Sequence, residues 1–209
     1  MSSSGNVEGL LIVVSGPSAV GKDTILDRLL EKPERLKKPV LRCVTATTRP
    51  PRPDERDGVD YHFLSVAQFN AMAQQDGFLE YANVSGNWYG TPRNWVNDQR
   101  TSGRDIVLKI DVQGALKIKD LAPDALLIFL RPPSLEELER RLRARNTETE
   151  EEIARRLLDA RNEIAQTSHY DYVIVNDVID EALTDLIAVL RAEHCRAHPK
   201  FIADGKRAS

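Results

Sequence analysis

Residues 16–24 read Gly16-Pro17-Ser18-Ala19-Val20-Gly21-Lys22-Asp23-Thr24, and no other stretch restricts the fold as strongly. They follow Leu10-Leu11-Ile12-Val13-Val14, an apolar run of strand length. They precede Ile25, Leu26, Leu29 and Leu30, whose spacing sets four apolar side chains on one helical face. Strand, glycine-rich turn and helix in that order make a phosphate cradle. Gly16 and Gly21 admit backbone conformations and close approaches that a Cβ obstructs, so backbone N–H groups and the positive helix end converge on a polyphosphate, and Lys22 adds a mobile cation. The expected ligand is a nucleoside triphosphate; the plain alternative is the same turn without a ligand. One position departs from the motif. A Ser or Thr that helps hold magnesium usually follows the lysine, but here Asp23 stands there and the hydroxyl comes one residue later, at Thr24.

The 209 residues suffice for one sizeable core, and one compact unit with insertions is the expected organisation. Against 32 acidic residues stand 29 basic ones, a net charge of −3, so no global basic excess holds a nucleic-acid backbone. Any phosphate chemistry must use local arginines. Cys43 and Cys195, the two cysteines of the chain, lie far apart in sequence, which disfavours a disulfide framework and a cysteine-rich zinc site and fits a reducing cytoplasm. The opening residues lack a basic run, and residues 10–14 are too few for a signal core or a membrane span, so residues 1–9 read as a flexible start without targeting.

Five apolar runs read as the main strands: residues 10–14, 40–44, 106–111, 125–130 and 172–175. Helical patterns alternate with them, the last striped by Ile179, Leu183, Leu186, Ile187 and Leu190. The expected class is therefore α/β, with a five-stranded parallel sheet flanked by helices on both faces. Between the second and third runs, residues 45–59 carry no apolar period. Tyr61-His62-Phe63-Leu64 then looks like a strand, Ser65 with Gln68 forms a capping box, and two strand-like runs flank Ser85-Gly86-Asn87. These features predict a small inserted α+β lobe of short antiparallel strands with one helix, over residues 45–91. Pro92 suits the first turn of the helix that follows, and Gly103 its stop. Further capping boxes at Ser134 with Glu137 and Thr149 with Glu152 open two charged helices. Their many arginines read equally as a solvated, salt-bridged surface. His169 and His194 receive no role.

Ligands of such sheets lie outside the carboxyl ends of the strands, so the cradle, the 45–58 loop, Asp111 and Arg131 should gather on one rim. Arg49 and Arg52 suit bidentate phosphate contacts, and Tyr61 and Tyr89 can add hydroxyl donors. Glu80 can accept from the adjacent ring N–H and amino group of guanine, a donor pair that adenine lacks. Taken singly, each of these side chains is as well explained as a surface charge or a half-buried aromatic.

Together, residues 16–24, Thr45-Ala46-Thr47-Thr48-Arg49-Pro50-Pro51-Arg52-Pro53, residues 57–63, Glu80-Tyr81-Ala82, residues 86–91, Ile110-Asp111-Val112-Gln113-Gly114 and residues 145–151 resemble guanylate kinase from about Leu10 to Leu190, in order and spacing. The resemblance implies a P-loop kinase fold in which residues 10–195 comprise a core (10–44, 92–130 and 158–195), a GMP-binding lobe (45–91) and a helical lid (131–157), with a flexible tail at 196–209. It implies phosphorylation of GMP and dGMP by ATP with Mg2+, in the cytoplasm, by a monomer or homodimer without nucleic-acid or membrane partners. Carried over by motif, Lys22, Arg49, Arg141, Arg145 and Arg156 serve catalysis. Gly16, Pro17, Ser18, Ala19, Val20, Gly21, Lys22, Asp23, Thr24 and Asn176 hold ATP, with Thr24 and Asp23 on the metal. Arg49, Arg52, Tyr61 and Tyr89 hold the GMP phosphate; Thr45, Glu80 and Thr91 read or position guanine; Asp111 lies on the GMP and metal side.

Besides Asp23, a second position departs from that family. Lys109 stands where an acid is usual, two residues before Asp111. A charge exchange between strand and loop, with Asp23 paired to Lys109 or supporting magnesium through water, explains both departures; simple tolerance of both is the alternative. Two rival functions fit parts of the pattern. A related sugar-phosphate kinase, such as ribose 1,5-bisphosphate phosphokinase, accommodates the Gly-Lys-Asp loop but leaves Arg49, Arg52, Tyr61, Glu80 and Tyr89 without purpose. A non-catalytic guanylate-kinase-like binding module would not need the intact Gly16, Gly21 and Lys22.

Overall fold

The structure, a computed structural model, describes residues 8–84, 86–144 and 149–196. The chain runs β1 (Leu11–Ser15), α1 (Lys22–Leu30), β2 (Val40–Arg42), β3 (Ala46–Thr47), β4 (His62–Phe63), α2 (Val66–Gln74), β5 (Phe78–Val84), β6 (Asn87–Pro92), α3 (Arg93–Thr101), β7 (Asp105–Lys109), α4 (Val112–Leu121), β8 (Leu126–Arg131), α5 (Leu135–Ala144), α6 (Glu150–Ile164), β9 (Tyr172–Val175) and α7 (Ile179–Glu193).

Five strands form a parallel sheet in the order β2-β7-β1-β8-β9, so the strand feeding the cradle is central. Every residue of β1 is buried, and its alternation divides the core. Ile12 and Val14 join Val107, Ile128 and the α1 and α7 side chains, among them Leu26, Leu29, Leu183 and Leu186. Leu11 and Val13 join Ile106, Leu108 and Leu127 beneath Val96 of α3 and Ala115 and Ile118 of α4. Burying each such branched side chain contributes about 1.5–3 kcal/mol, which anchors the strand ends on which the site stands.

A second, four-stranded sheet is ordered β4-β3-β6-β5. β5 and β6 pair antiparallel, as do β3 and β6, but β3 and β4 pair parallel. The expectation of an all-antiparallel lobe is corrected here: the long 48–61 loop returns the chain to the same end of the sheet, which a tight hairpin cannot do. Phe69 of α2 stacks on Phe78 at 4.4 Å between ring centroids and fills the core of this lobe. The Ser65–Gln68 capping box forms in both directions. The third main strand ends at Lys109 rather than at Asp111, which instead caps α4 by accepting from the Gly114 N–H at 3.0 Å. Pro92 lies one position earlier than expected, as the cap of α3 rather than within its first turn.

α5 and α6 bury Leu138, Leu142, Ile153 and Ala160 against one another, with Ala19 of the cradle packed on the same cluster. Thr149 and Glu152 complete their capping box, and Ser134 accepts from the Glu137 N–H. Arg145 lies outside the described residues. His194, given no role from sequence, pairs with the buried Asp105 at 2.5 Å, whose other oxygen accepts from the Leu10 N–H. Among the described residues, no helix is long and apolar enough to cross a membrane.

Candidate active site

A cleft of about 1270 Å³ opens at the carboxyl ends of β1, β2 and β7, and its walls hold all nine cradle residues, Gly16 through Thr24. Gly21 has φ +96°, and a Cβ there would lie 2.5 Å from the Asn176 amide nitrogen. That nitrogen, itself buried, donates to the Val20 carbonyl at 2.7 Å, so Asn176 braces the cradle from behind. The Lys22 ammonium folds back onto the Gly16 carbonyl and donates to the Pro17 carbonyl at 2.9 Å. Burial pushes it down to about 8 against the attraction of Glu163, and nearby Lys109 adds to the depression. An anionic polyphosphate would reverse that cost by supplying opposite charge.

Asp23, in the first turn of α1, accepts from Lys109 at 2.6 Å and from Arg42 at 2.8 Å. Burial alone would raise its carboxyl, but these two cations hold it below the usual carboxylate range. The pair expected from the two departures therefore forms, with Arg42 as a third member that sequence reasoning missed. Its signal was topological: β2 and β1 both flank β7, which brings the ends of three distant segments together.

The opposite wall comes from the smaller sheet. Tyr61 and Tyr89 meet edge-on at 5.9 Å, and both face the cleft with the exposed Arg52. Arg49 stands just behind, its guanidinium 5.5 Å from the Tyr61 ring centre and bound by Glu55 through contacts of 2.7 and 2.8 Å. Glu55, hidden to sequence reasoning in a charged loop, holds the guanidinium above its ordinary range, helped by Tyr89. At the floor, Glu80 is 7% exposed and accepts from the Thr91 hydroxyl at 2.7 Å. Burial pushes its carboxyl up to about 7, opposed by Thr91 and aided by Asp111. Gly114 leaves the space this carboxylate needs: a Cβ there would approach Glu80 Oε2 to 3.2 Å. Thr45, also buried, lines the same cleft, and Asp111 completes the wall.

From α6, Arg156 and Glu163 reach the cleft. Arg141 of α5 does not line it; its guanidinium is held by Glu137 at 2.7 Å and donates to the Asn176 carbonyl at 3.0 Å. The cleft thus joins a phosphate cradle, a cluster of cations and phenols, and one buried carboxylate, with room for two nucleotides end to end. For magnesium, the cradle itself offers the Thr24 hydroxyl and the exposed Asp23 carboxylate. This donor set fits an ion that takes one or two protein oxygens and fills its remaining positions with phosphate and water.

Comparison with known proteins agrees with this geometry. The sequence model of the guanylate kinase family matches residues 8–193. The chain is 47% identical over 189 residues to the guanylate kinase of Caldanaerobacter subterraneus subsp. tengcongensis, covering 90% of each. It is 48% identical over 188 residues to that of Aromatoleum aromaticum, again covering 90% of each. The crystal structure of guanylate kinase from Anaplasma phagocytophilum superposes with a TM-score of 0.76 at 34% identity, over 92% of this chain and 89% of that one. A match this extensive in sequence and fold, around an intact phosphate cradle, makes this chain a member of the guanylate kinase family.

Proposed function

We propose that this chain transfers the γ-phosphoryl group of ATP to the phosphate of GMP or dGMP, giving GDP or dGDP, in nucleotide recycling in the cytoplasm. One observation carries the reading: a single cleft joins the phosphate cradle to the buried Glu80, a carboxylate with the acceptor pattern for guanine. Glu80, positioned by Thr91 and flanked by Thr45, reads the base. Arg49, Arg52, Tyr61 and Tyr89 grip the GMP phosphate, with Asp111 beside it. Gly16 through Thr24 cradle the ATP phosphates, and Asn176 supports the adenine side. Thr24 and Asp23 would hold magnesium beside the polyphosphate, where it would supply neutralisation of phosphate charge.

Transfer between two anionic nucleotides requires alignment and charge neutralisation rather than a covalent enzyme intermediate. The GMP phosphate oxygen is already ionised near neutral pH, so no protein base is needed. Lys22 and Arg156 line the path of the migrating group, and Arg141 and Arg145 approach as α5 and α6 close over the cleft. Closure also excludes the water that would otherwise take the phosphoryl group. The carboxylate of Asp23 is engaged by Lys109 and Arg42, so its presence does not call for a sugar-phosphate substrate. The protein acts as a monomer or homodimer on small molecules, without nucleic-acid or membrane partners.

A coupled assay of ADP formation with GMP, AMP, UMP and ribose 1,5-bisphosphate offered separately tests the reading. Turnover with GMP alone supports it; turnover with the sugar phosphate, or none with GMP, overturns it.

A further inference from the structure

We propose that Lys109 is a phosphate-contacting residue that binds the acceptor phosphate, and that Asp23 is the positioning residue that holds its ammonium ready between the two substrates. This deepens the GMP-kinase reading and rests on it. Lys109 ends β7, beside the cradle strand β1, with Val14 as its register partner. Its ammonium is 2.6 Å from Asp23 and 5.6 Å from the centre of the Tyr61 ring, and the side chain is 18% exposed at the cleft wall. It therefore touches both halves of the site: the helix that opens at the cradle and the phenol cluster that faces the acceptor. Lys22 and Lys109 line the same cleft, so two cations stand where two polyanions must meet.

The arrangement makes an exchange of partners easy. When an anionic phosphate draws Lys109 away, Asp23 keeps Arg42 at 2.8 Å and the favourable field of the α1 N-terminus. Arg42 is in turn shared with Asp27 at 3.1 Å. The carboxylate thus keeps a cation after the exchange, whereas a carboxylate whose sole counter-ion was this lysine would resist giving it up. No bond is made or broken in this exchange; an ion pair within the protein is replaced by one with substrate.

The test is calorimetric binding of GMP, and separately of guanosine, to the wild type, K109M, K109R, D23N and the double variant D23N/K109M, without ATP or metal, with turnover measured in parallel. Loss of a charge-assisted phosphate contact predicts GMP binding weakened roughly 10- to 100-fold in K109M, guanosine binding unchanged, and K109R within several-fold of wild type. D23N keeps GMP affinity within about threefold but lowers kcat; because Asp23 acts here through the ammonium, the double variant turns over no more slowly than K109M, whereas loss of an oxygen on the magnesium side would lower kcat further. The double variant separates this from a salt-bridge role. If Lys109 served only to neutralise Asp23, removing both would restore GMP binding, and that result overturns the proposal. So does equal weakening of GMP and guanosine in K109M, or GMP binding as in wild type. If K109M fails to fold, K109R and D23N decide: loss of GMP affinity in D23N overturns the proposal. Absence of GMP turnover by the wild type would instead refute the underlying function.

Discussion

Replacing Glu80 by Gln should stabilise the protein while removing its ability to hold GMP. Burial raises the Glu80 carboxyl from an ordinary 4.5 to about 7. The folded state thus binds this proton more tightly than the unfolded chain, so the stability it contributes is fully present below about pH 4.5 and is lost as the pH rises to about 7. Over these roughly 2.5 pH units, at about 1.4 kcal/mol each, ionisation costs the fold about 3 kcal/mol by pH 8. Glutamine matches the neutral acid in shape and can still accept from Thr91, so E80Q escapes that cost. Thermal unfolding should show E80Q above wild type by roughly 6–12 °C at pH 8, taking about 2–4 °C per kcal/mol for a chain of this size, with the gap nearly closed at pH 4. GMP affinity should fall at least about 100-fold, because a carboxylate that accepts two hydrogen bonds from guanine is replaced by an amide that presents a donor to one of them. A less stable E80Q at pH 8, or a stability gap that does not shrink on acidification, would refute the electrostatic argument. Unchanged GMP affinity would refute the assignment of Glu80 to the base.

Three further substitutions probe the framework. Asn176→Ala leaves the Val20 carbonyl without its buried donor and should cost about 1–3 kcal/mol, read as a lower denaturation midpoint with a raised KM for ATP. Gly21→Ala forces a Cβ into the left-handed backbone region and against the Asn176 amide, so it should abolish ATP binding; combined with Asn176→Ala, the steric part is relieved and the stability losses should sum to less than the two singles, as chemical denaturation would show. Leu142→Ala opens a cavity between α5 and α6 and should cost about 2–5 kcal/mol locally, seen as faster amide hydrogen exchange in those helices with the main sheet unaffected.

The main sheet was legible because its strands are short, mostly apolar runs and helices such as α1 and α7 carry an apolar stripe, so period and length agree. The cradle was legible for the same reason: its glycines and lysine sit between a readable strand and a readable helix. The smaller sheet was harder. β3 and β4 are two residues each, too short to show alternation, and their parallel pairing follows from the path of a long polar loop that carries no periodic signal. Asp23 and Lys109 could be paired from sequence only through the family's usual residues, and their neighbour Arg42 depends on strand order, which residue spacing does not encode. Glu55 and Glu163 were invisible because a carboxylate in a charged loop or helix reads as solvated until the fold sets it against Arg49 or Lys22.

The most direct test of the account is a single-turnover experiment with ATP labelled in its γ-phosphoryl group, excess enzyme, magnesium and GMP. One closed cleft that aligns two nucleotides and excludes water predicts that the label appears in the β position of GDP, with little released as inorganic phosphate. Label recovered mainly as inorganic phosphate, or retained in ATP while GMP is bound, would contradict it.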